Sequence, residues 1–150
     1  MTFRQNLSRR KREPMGLRTQ FHYRSQTYRQ WVAGMPCTIA GINGHVCIPN
    51  VVCAHMRLGT DGWLSEKPSD WFGYPLCDDM KGNGAHPEQH NIGEPEFFRR
   101  YGIKEPLLIP ARIWWLPTNR HRLKYEANPL VCTAVPPARP GTISSIKDTP

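Results

Sequence analysis

The stretch from Val51 to His90 constrains the fold of this chain more than any other part of it. It begins with two β-branched valines, which favour an extended backbone and put His55 near the end of a short strand. A polar loop with two glycines, residues 57–70, leads to a second extended run, Trp71–Leu76. Two histidines four residues apart follow, and the stretch predicts strand, loop, strand and helix in that order.

The two later histidines, His86 and His90, have the spacing that puts both rings on one helix face, one turn apart. Such a pair suits a shared cation, and Pro87 is tolerated if it lies in the first helical turn. A neutral His55 facing them could take a proton from water near pH 7. A cation on His86 and His90 could bind a phosphate and steady the leaving group. We therefore expect chemistry suited to phosphodiester hydrolysis.

Asp70 closes a Lys-Pro-Ser-Asp turn between the two predicted strands. Its carboxylate could be a third ligand of the cation or could orient a histidine. Each feature alone has a simpler interpretation, because His55 could be a hydrogen-bonded structural residue and the histidine pair a solvated helix face. Their joint occurrence, in this order, favours a site.

Three short motifs in this stretch carry a family resemblance, namely Ala54–Arg57, Lys67–Asp70 and Pro75–Cys77. They resemble the A-H-x-R strand, K-P-x-D turn and P-L-C knuckle of the HNH, or ββα-metal, nucleases. The chain is most similar to the phage-associated branch, which includes recombination-enhancement nucleases. The resemblance spans residues 23–103.

The resemblance implies an α+β fold: a small, loop-rich ββα-metal core with flanking helices, braced by a structural zinc ion. It implies that His55 is the general base and that Asp70 is the nearest counterpart of the signature asparagine. His86 and His90 would hold one catalytic divalent cation, which is magnesium, manganese or zinc. The residue before the base is often a further ligand in related enzymes, and here it is Ala54, which cannot ligate.

The cysteines depart from the pattern of these relatives, which commonly hold zinc with two C-x-x-C knuckles. The knuckle that would begin at Cys37 lacks its second cysteine, and so does the knuckle that would begin at Cys77. Cys47 is the replacement for the missing cysteine of the first knuckle. Cys37, Cys47 and Cys77 are then three of the four ligands that a structural zinc requires. The fourth stays open among Cys53, His45 and Cys132. The alternative is that these residues are reduced, buried thiols that act as small apolar side chains.

The net charge of +8 favours a polyanionic partner, DNA in the first place and an acidic membrane surface in the second. With 39% hydrophobic residues and fifteen prolines the core is limited, so that a metal brace would be useful. No apolar run approaches the roughly 20 residues that span a bilayer, and the N-terminus lacks the apolar core of a secretory signal. Five cysteines do not pair into a disulfide framework. We expect a cytoplasmic protein without a membrane partner, in a bacterial host if it is phage or prophage encoded.

Three segments are expected: a basic flexible arm at 1–22, an HNH-like domain at 23–125 and a Pro-rich tail at 126–150. The arm would track DNA by displacing counterions, without sequence choice, although it could also be only a solubilising tail. Its cationic run is Arg9, Arg10, Lys11 and Arg12. The tail is expected to be extended and functionally quiet.

The surroundings of the site add two further expectations. Arg57 and Lys67 flank the loop between the strands, and one or both would contact the phosphate backbone beside the scissile bond. Helices are predicted at 23–33 and from Glu94 onward, whereas Leu107–Leu116 could be a helix or a strand because it contains a proline.

Two functions follow from these observations. The first is a metal-dependent DNA endonuclease with a histidine base and one divalent cation, with a phage or host recombination or packaging partner. The second is a zinc-braced module that binds nucleic acid on the same scaffold without cleaving it. The missing ligand at Ala54 and the altered knuckles keep the second open. Neither the preferred DNA structure nor the oligomeric state follows from the sequence.

Overall fold

The sheet of this protein pairs two antiparallel strands, β1 (Val51–His55) and β2 (Gly73–Cys77). The computed structural model describes residues 22–61, 66–127 and 135–141. The register opposes Val51 to Cys77 and His55 to Gly73. His55 therefore ends β1 where β2 begins, and Cys77 lies at the opposite end of the sheet.

Helices surround this small sheet in the described part of the chain. They are α1 (Gln26–Ala33), α2 (Ala85–Ile92), α3 (Glu94–Arg100), α4 (Leu108–Trp114) and α5 (Arg120–Ala127), with short 3-10 turns at Ile42–Gly44 and Asp70–Phe72. The α+β class is thus confirmed. None of the helices in the described ranges is both long enough and apolar enough to cross a membrane.

The helix boundaries follow from local chemistry. The hydroxyl of Ser25 accepts a hydrogen bond from the backbone N–H of Tyr28 at 3.1 Å, so α1 begins at Gln26 and not at residue 23 as predicted. The ambiguous segment 107–116 is helical. Its Pro110 lies in the first turn of α4, where a backbone N–H has no partner within the helix.

The prediction of an extended run over Trp71–Leu76 was wrong for its first two residues. The backbone N–H of Phe72 donates to Ser69 at 3.0 Å, and that of Asp70 donates to Tyr23 at 2.8 Å. The first bond closes a 3-10 turn in which Trp71 is fully buried, and the second fastens this turn to the segment before α1. The strand begins only at Gly73, because the N–H groups of Asp70 and Phe72 find their partners in Tyr23 and Ser69 and not in β1.

An aromatic cluster fixes this turn from outside the sheet. The ring of Trp71 stacks on Tyr23 at a centroid distance of 5.1 Å, and the edges of Trp114 and Tyr125 meet it at 5.5 Å each. Buried aromatic pairs in such geometries add to the stabilisation that comes from burial alone. The cluster therefore holds Asp70, which directly precedes Trp71, at a defined position.

The predicted terminal segments are only partly within the structure. Residues 1–21, with the basic run at 9–12, lie outside the described residues. Part of the predicted tail, residues 135–141, lies within the structure, where it forms neither helix nor strand and ends in a turn at Pro140 and Gly141. It also packs on the domain, because the indole N–H of Trp115 donates to the carbonyl of Pro137 at 2.7 Å. The three-segment division of the chain stays a prediction.

We predict that two neighbouring glycines respond differently to alanine. Gly82 and Gly84 both have positive φ angles, 101° and 109°, but a Cβ at Gly84 would lie 2.5 Å from the carbonyl oxygen of Cys77, whereas one at Gly82 meets nothing within 4 Å. Gly82→Ala should therefore lose about 1 kcal/mol of unfolding free energy for its backbone conformation alone. Gly84→Ala should lose about 1–3 kcal/mol more through the clash. Urea unfolding of both variants in one buffer checks this, and equal losses would contradict it.

Candidate metal centre and histidine cleft

Four side chains converge at the end of the sheet that carries Cys77. Their ligand atoms, three thiol sulfurs and one imidazole nitrogen, all lie within 4.8 Å of one another. The four residues are Cys37, His45, Cys47 and Cys77. Cys37 and Cys77 are buried, whereas His45 and Cys47 are partly exposed, so an ion could enter from the side of the latter two.

Backbone contacts bring these residues together from distant parts of the chain. Thr38 donates to the carbonyl oxygen of Pro75 through both its N–H and its hydroxyl, each at 2.9 Å, which fastens the segment after α1 to β2. The 3-10 turn at Ile42–Gly44 reverses the chain. It returns His45 to the sheet, where its Nε2 lies 3.2 Å from the sulfur of Cys77.

The donor set fits zinc in its chemistry. Three sulfurs and one nitrogen make a full tetrahedral shell of the kind that closed structural sites use. The N–H of Cys77 points at the sulfur of Cys37 at 3.4 Å, and the N–H of Ala85 points at the sulfur of Cys77 at 3.3 Å. Such N–H groups stabilise thiolates, and Ala85 is the first residue of α2, where the helix dipole favours negative charge.

Burial without an ion works against ionisation of these thiols. It raises the pKa of Cys37 to about 12, and it raises the pKa of Cys47 as well. A bound divalent cation would reverse this, because a coordinating thiol is deprotonated. Without a bound cation, burial therefore favours the neutral thiols of Cys37 and Cys47.

The structure places the three predicted cysteines, Cys37, Cys47 and Cys77, in this cluster and selects His45 as the fourth member. Cys53 lies instead on β1, where burial and the negative charge of Asp70 raise the pKa of its thiol. Cys132 is outside the described residues. The spacing of His45 and Cys47, with one residue between them, was the available signal for the fourth ligand.

His55 lies at the other end of the sheet and is paired with a buried carboxylate. Its Nε2 is 2.8 Å from Oδ1 of Asp70, which is fully buried. The other oxygen of Asp70 accepts the backbone N–H of Ser25 at 2.6 Å. Arg24 and Arg29 each bring a guanidinium nitrogen to within 3.7 Å of Oδ1. Of its two predicted roles, Asp70 is thus placed to orient a histidine.

The electrostatics of this pair favour a neutral imidazole beside an ionised carboxylate. Burial lowers the pKa of His55, and the hydrogen bond to Asp70 opposes this only in part. Burial would raise the pKa of Asp70, but the hydrogen bonds from His55 and Ser25 outweigh it and the pKa is lowered. A neutral ring that donates from Nε2 has its lone pair on Nδ1. That atom is therefore the candidate proton acceptor.

The histidine pair occupies one face of α2, as its spacing predicted. Nε2 of His86 and Nε2 of His90 lie 3.0 Å apart, and Nδ1 of His86 meets Oδ2 of Asp78 at 2.8 Å. Nitrogens about 2.1 Å from one ion lie about 3 Å apart when their bonds to it are at right angles. The pKa of His90 is lowered by burial and, in addition, by the electrostatic effect of His86 and Arg57. Asp78, which fixes His86, was not predicted, although it follows Cys77 directly.

His55 and His90 line one cleft of about 520 Å³. The other residues of its wall are Arg57, Leu58, Gln89, Gly93, Glu94 and Pro95. The carboxylate of Glu94 accepts the N–H of Arg57 at 2.8 Å and that of Leu58 at 2.7 Å, which ties the loop after β1 to α3. Within the described ranges, three or more potential metal ligands converge only in the cysteine cluster. The histidines of this cleft belong to no such group.

The residues predicted to contact DNA do not form one surface in the described part of the chain. The side chain of Arg57 is exposed in the wall of this cleft, and Lys67 is exposed on the loop before Asp70. The carbonyl of Lys67 accepts a hydrogen bond from Arg24. Arg9, Arg10, Lys11 and Arg12 lie outside the described residues, so their role stays a prediction. Arg24 and Arg29, which face Asp70, were missed as parts of the site.

Comparisons with models of protein families, with characterised proteins and with solved structures found no match for this chain. The chemistry of the two sites is therefore inferred from their own geometry.

We predict that the purified protein binds about one zinc ion per chain at the cysteine cluster. Cys47→Ser and His45→Ala should each reduce the bound zinc at least tenfold, because a closed tetrahedral shell loses a ligand; Cys53→Ser is the matched control. Metal analysis after dialysis measures this, and thermal unfolding should shift to lower temperature when zinc is removed. Full zinc content in Cys47→Ser would exclude this cluster as the site.

We also predict that the pKa of His55 lies below 6.5 and falls further in Asp70→Asn, because the carboxylate favours the imidazolium form. A histidine whose pKa is lower in the folded state contributes stability above its unfolded pKa. That contribution is lost as the pH falls from about 6.5 towards the folded pKa. NMR titration of the histidine ring signals, assigned with His55→Gln, measures both values. A higher pKa in Asp70→Asn would contradict the pairing.

Proposed function

We propose that this protein is a metal-dependent DNA endonuclease of the HNH type. The observation that carries the proposal is the cleft shared by His55 and His90: it contains an oriented histidine base and one member of a pair of potential metal ligands, His86 and His90. The proposal also has the support of the order β1, β2 and α2, in which an antiparallel strand pair precedes the helix with the two histidines.

His55 acts as the general base through Nδ1 and accepts a proton from the attacking water. Asp70 acts as a positioning residue: its carboxylate fixes the ring through Nε2 and stabilises the imidazolium that forms. The lowered pKa of His55 keeps the ring neutral at pH 7, in the state that accepts a proton.

His86 and His90 would hold the divalent cation. When bound, this cation relieves charge on the scissile phosphate and steadies the leaving oxygen. Asp78 accepts a hydrogen bond from Nδ1 of His86, which leaves Nε2 of that ring as the ligand atom. Ala54, the residue before the base, is buried, and its methyl side chain has no atom that could ligate a cation. The cation would be held by fewer protein groups than in the fullest members of the HNH family, which this chain resembles.

DNA is the substrate class that the charge of the chain favours. The formal charge of +8 attracts a polyanion, and Arg57 lies in the cleft wall where it can contact a phosphate flanking the reacting one. Zinc in the cluster of Cys37, His45, Cys47 and Cys77 would serve as a brace, because it ties β2 and the start of α2 to the segment after α1.

A second function, a zinc-braced module that binds nucleic acid without cleavage, is favoured by one observation. In the described part of the chain, only the cysteine cluster brings three or more metal-binding side chains to one point. In this alternative, His55 and Asp70 form a structural pair, and His86 and His90 are a solvated helix face.

We predict that the purified protein nicks supercoiled plasmid in magnesium or manganese. His55→Gln should lower the rate by about 10²-fold or more, since glutamine keeps the hydrogen bond to Asp70 but cannot accept the proton. DNA affinity should stay within about twofold of the parent, because no charged contact to phosphate is removed. His121→Gln, a histidine of α5, should leave the rate unchanged.

Binding without nicking by the parent protein in either metal would favour the non-catalytic module. Equal nicking by the parent and His55→Gln would exclude His55 as the base.

A further inference from the structure

We infer that the surface around Trp115 is a binding site for proline-rich segments of the P-x-x-P type. Residues 135–141 of the same chain occupy this site, and a partner protein that carries such a segment binds by displacing them. The inference goes beyond the proposed nuclease function and does not rest on it, because it concerns neither the histidine cleft nor the cysteine cluster.

The sequence of the segment 135–141 favours the polyproline II conformation. It reads Val-Pro-Pro-Ala-Arg-Pro-Gly. Each proline ring fixes its φ angle at about −65°, and each residue before a proline is biased away from the helical region. Residues 135–139 accordingly form neither helix nor strand. A polyproline II segment makes no hydrogen bonds within itself, so its carbonyl groups are left for donors outside it.

The exposure of the segment matches the three-residue turn of this conformation. Pro137 and Pro140 lie one such turn apart, and both are half-buried, as is Pro136. Ala138 and Arg139, which lie between the two prolines of the motif, are exposed. The prolines of the P-x-x-P motif are thus the residues that meet the domain. Proline-rich peptides dock in this way in aromatic-lined grooves of other proteins.

Trp115 makes both contacts that identify the ligand. Its indole N–H, which can only donate, is bonded to the carbonyl oxygen of Pro137 at 2.7 Å. The guanidinium of Arg139 lies over its ring, 5.5 Å from the centroid, where the negative face of an indole attracts a cation. The guanidinium of Arg122 in α5 lies 4.8 Å from the same centroid and is paired with Glu126 at 2.9 Å. The indole is therefore held by α5 while it binds the segment.

These contacts recognise a class of ligand and not one particular segment. The hydrogen bond is made to a backbone carbonyl, and the half-buried side chains are prolines, which every P-x-x-P segment provides. A segment of another chain therefore offers the site the same groups as residues 135–141. The resident segment has only the advantage of its covalent connection, which corresponds to a local concentration of about 1 mM.

The test uses the full chain and a fluorescein-labelled peptide with the sequence of residues 135–141. Pro137→Ala/Pro140→Ala removes two proline rings and loosens the resident segment, which opens the site. The opened chain should bind the peptide, and the parent should bind it about tenfold more weakly. This ratio is expected when an intrinsic Kd of about 0.1 mM competes with a local concentration of about 1 mM. Fluorescence anisotropy measures both affinities.

The NMR signal of the Trp115 indole N–H shows where the peptide binds. It should move when the site is opened and should return towards its position in the parent as peptide is added. Trp115→Phe in the opened chain keeps an aromatic ring but removes the donor, and it should weaken peptide binding about five- to tenfold. Trp31→Phe is the matched control, since that ring meets Tyr28 and His121, and it should leave the affinity unchanged.

A peptide in which alanine replaces the prolines at 137 and 140 should not bind the opened chain. Equal binding of the two peptides, or no binding of the proline-containing one, would overturn the inference. Equal affinities of the parent and the opened chain would also overturn it, because the resident segment would then not occupy the site. Dimers of the parent that dissociate in Pro137→Ala/Pro140→Ala would instead assign the site to a second copy of this chain and overturn displacement by another protein.

Discussion

The convergence of one histidine and three cysteines at the end of β2 is the contact on which the rest of this structure depends. The chain has a small core and a two-stranded sheet, and such a sheet is marginal unless something packs or binds against it. Cys77 ends β2, and its sulfur accepts the first N–H of α2. The direction of α2, and with it the position of His86 and His90, is therefore set at this cluster. A metal ion there would act on the histidine cleft through the helix and not through direct contact.

Two buried aspartates repeat one arrangement on opposite sides of the candidate site. The carboxylate of Asp70 accepts one hydrogen bond from a ring nitrogen of His55 and one from a backbone N–H. The carboxylate of Asp78 likewise accepts one from a ring nitrogen of His86 and one from a backbone N–H. Each carboxylate fixes the orientation of an imidazole and leaves the other ring nitrogen as an acceptor or a ligand. This division of tasks, with one histidine for a proton and another for a cation, is the basis on which we propose hydrolysis as the chemistry of the cleft.

The sequence was sufficient to predict the local secondary-structure elements and the residue types of the site, but not every residue that these side chains contact. The valines before His55 marked β1, and the spacing of His86 and His90 marked one face of α2, because both patterns depend on neighbours in the chain. Trp71 was assigned to a strand although it lies in a 3-10 turn, since its burial comes from Tyr23 and Trp114, far away in sequence. Arg29 and Asp78 were missed because their partners are apparent only once the chain is folded. The predicted basic arm lies outside the described residues.

The sequence by itself determined the α+β class, the order of strand, strand and helix, and a set of side chains able to bind a cation or move a proton. These properties depend on short-range spacing and on the chemistry of single residues. Only the tertiary structure decided that His45 joins the three cysteines, that Asp70 orients a histidine, and that His55 and His90 share a cleft. The physical reason is that these pairings depend on contacts between distant residues, since His45 is 32 positions from Cys77, Asp70 is 15 positions from His55 and His90 is 35 positions from His55. Their distances are set by the antiparallel register and by the aromatic packing around Trp71, and neither is encoded in any one segment.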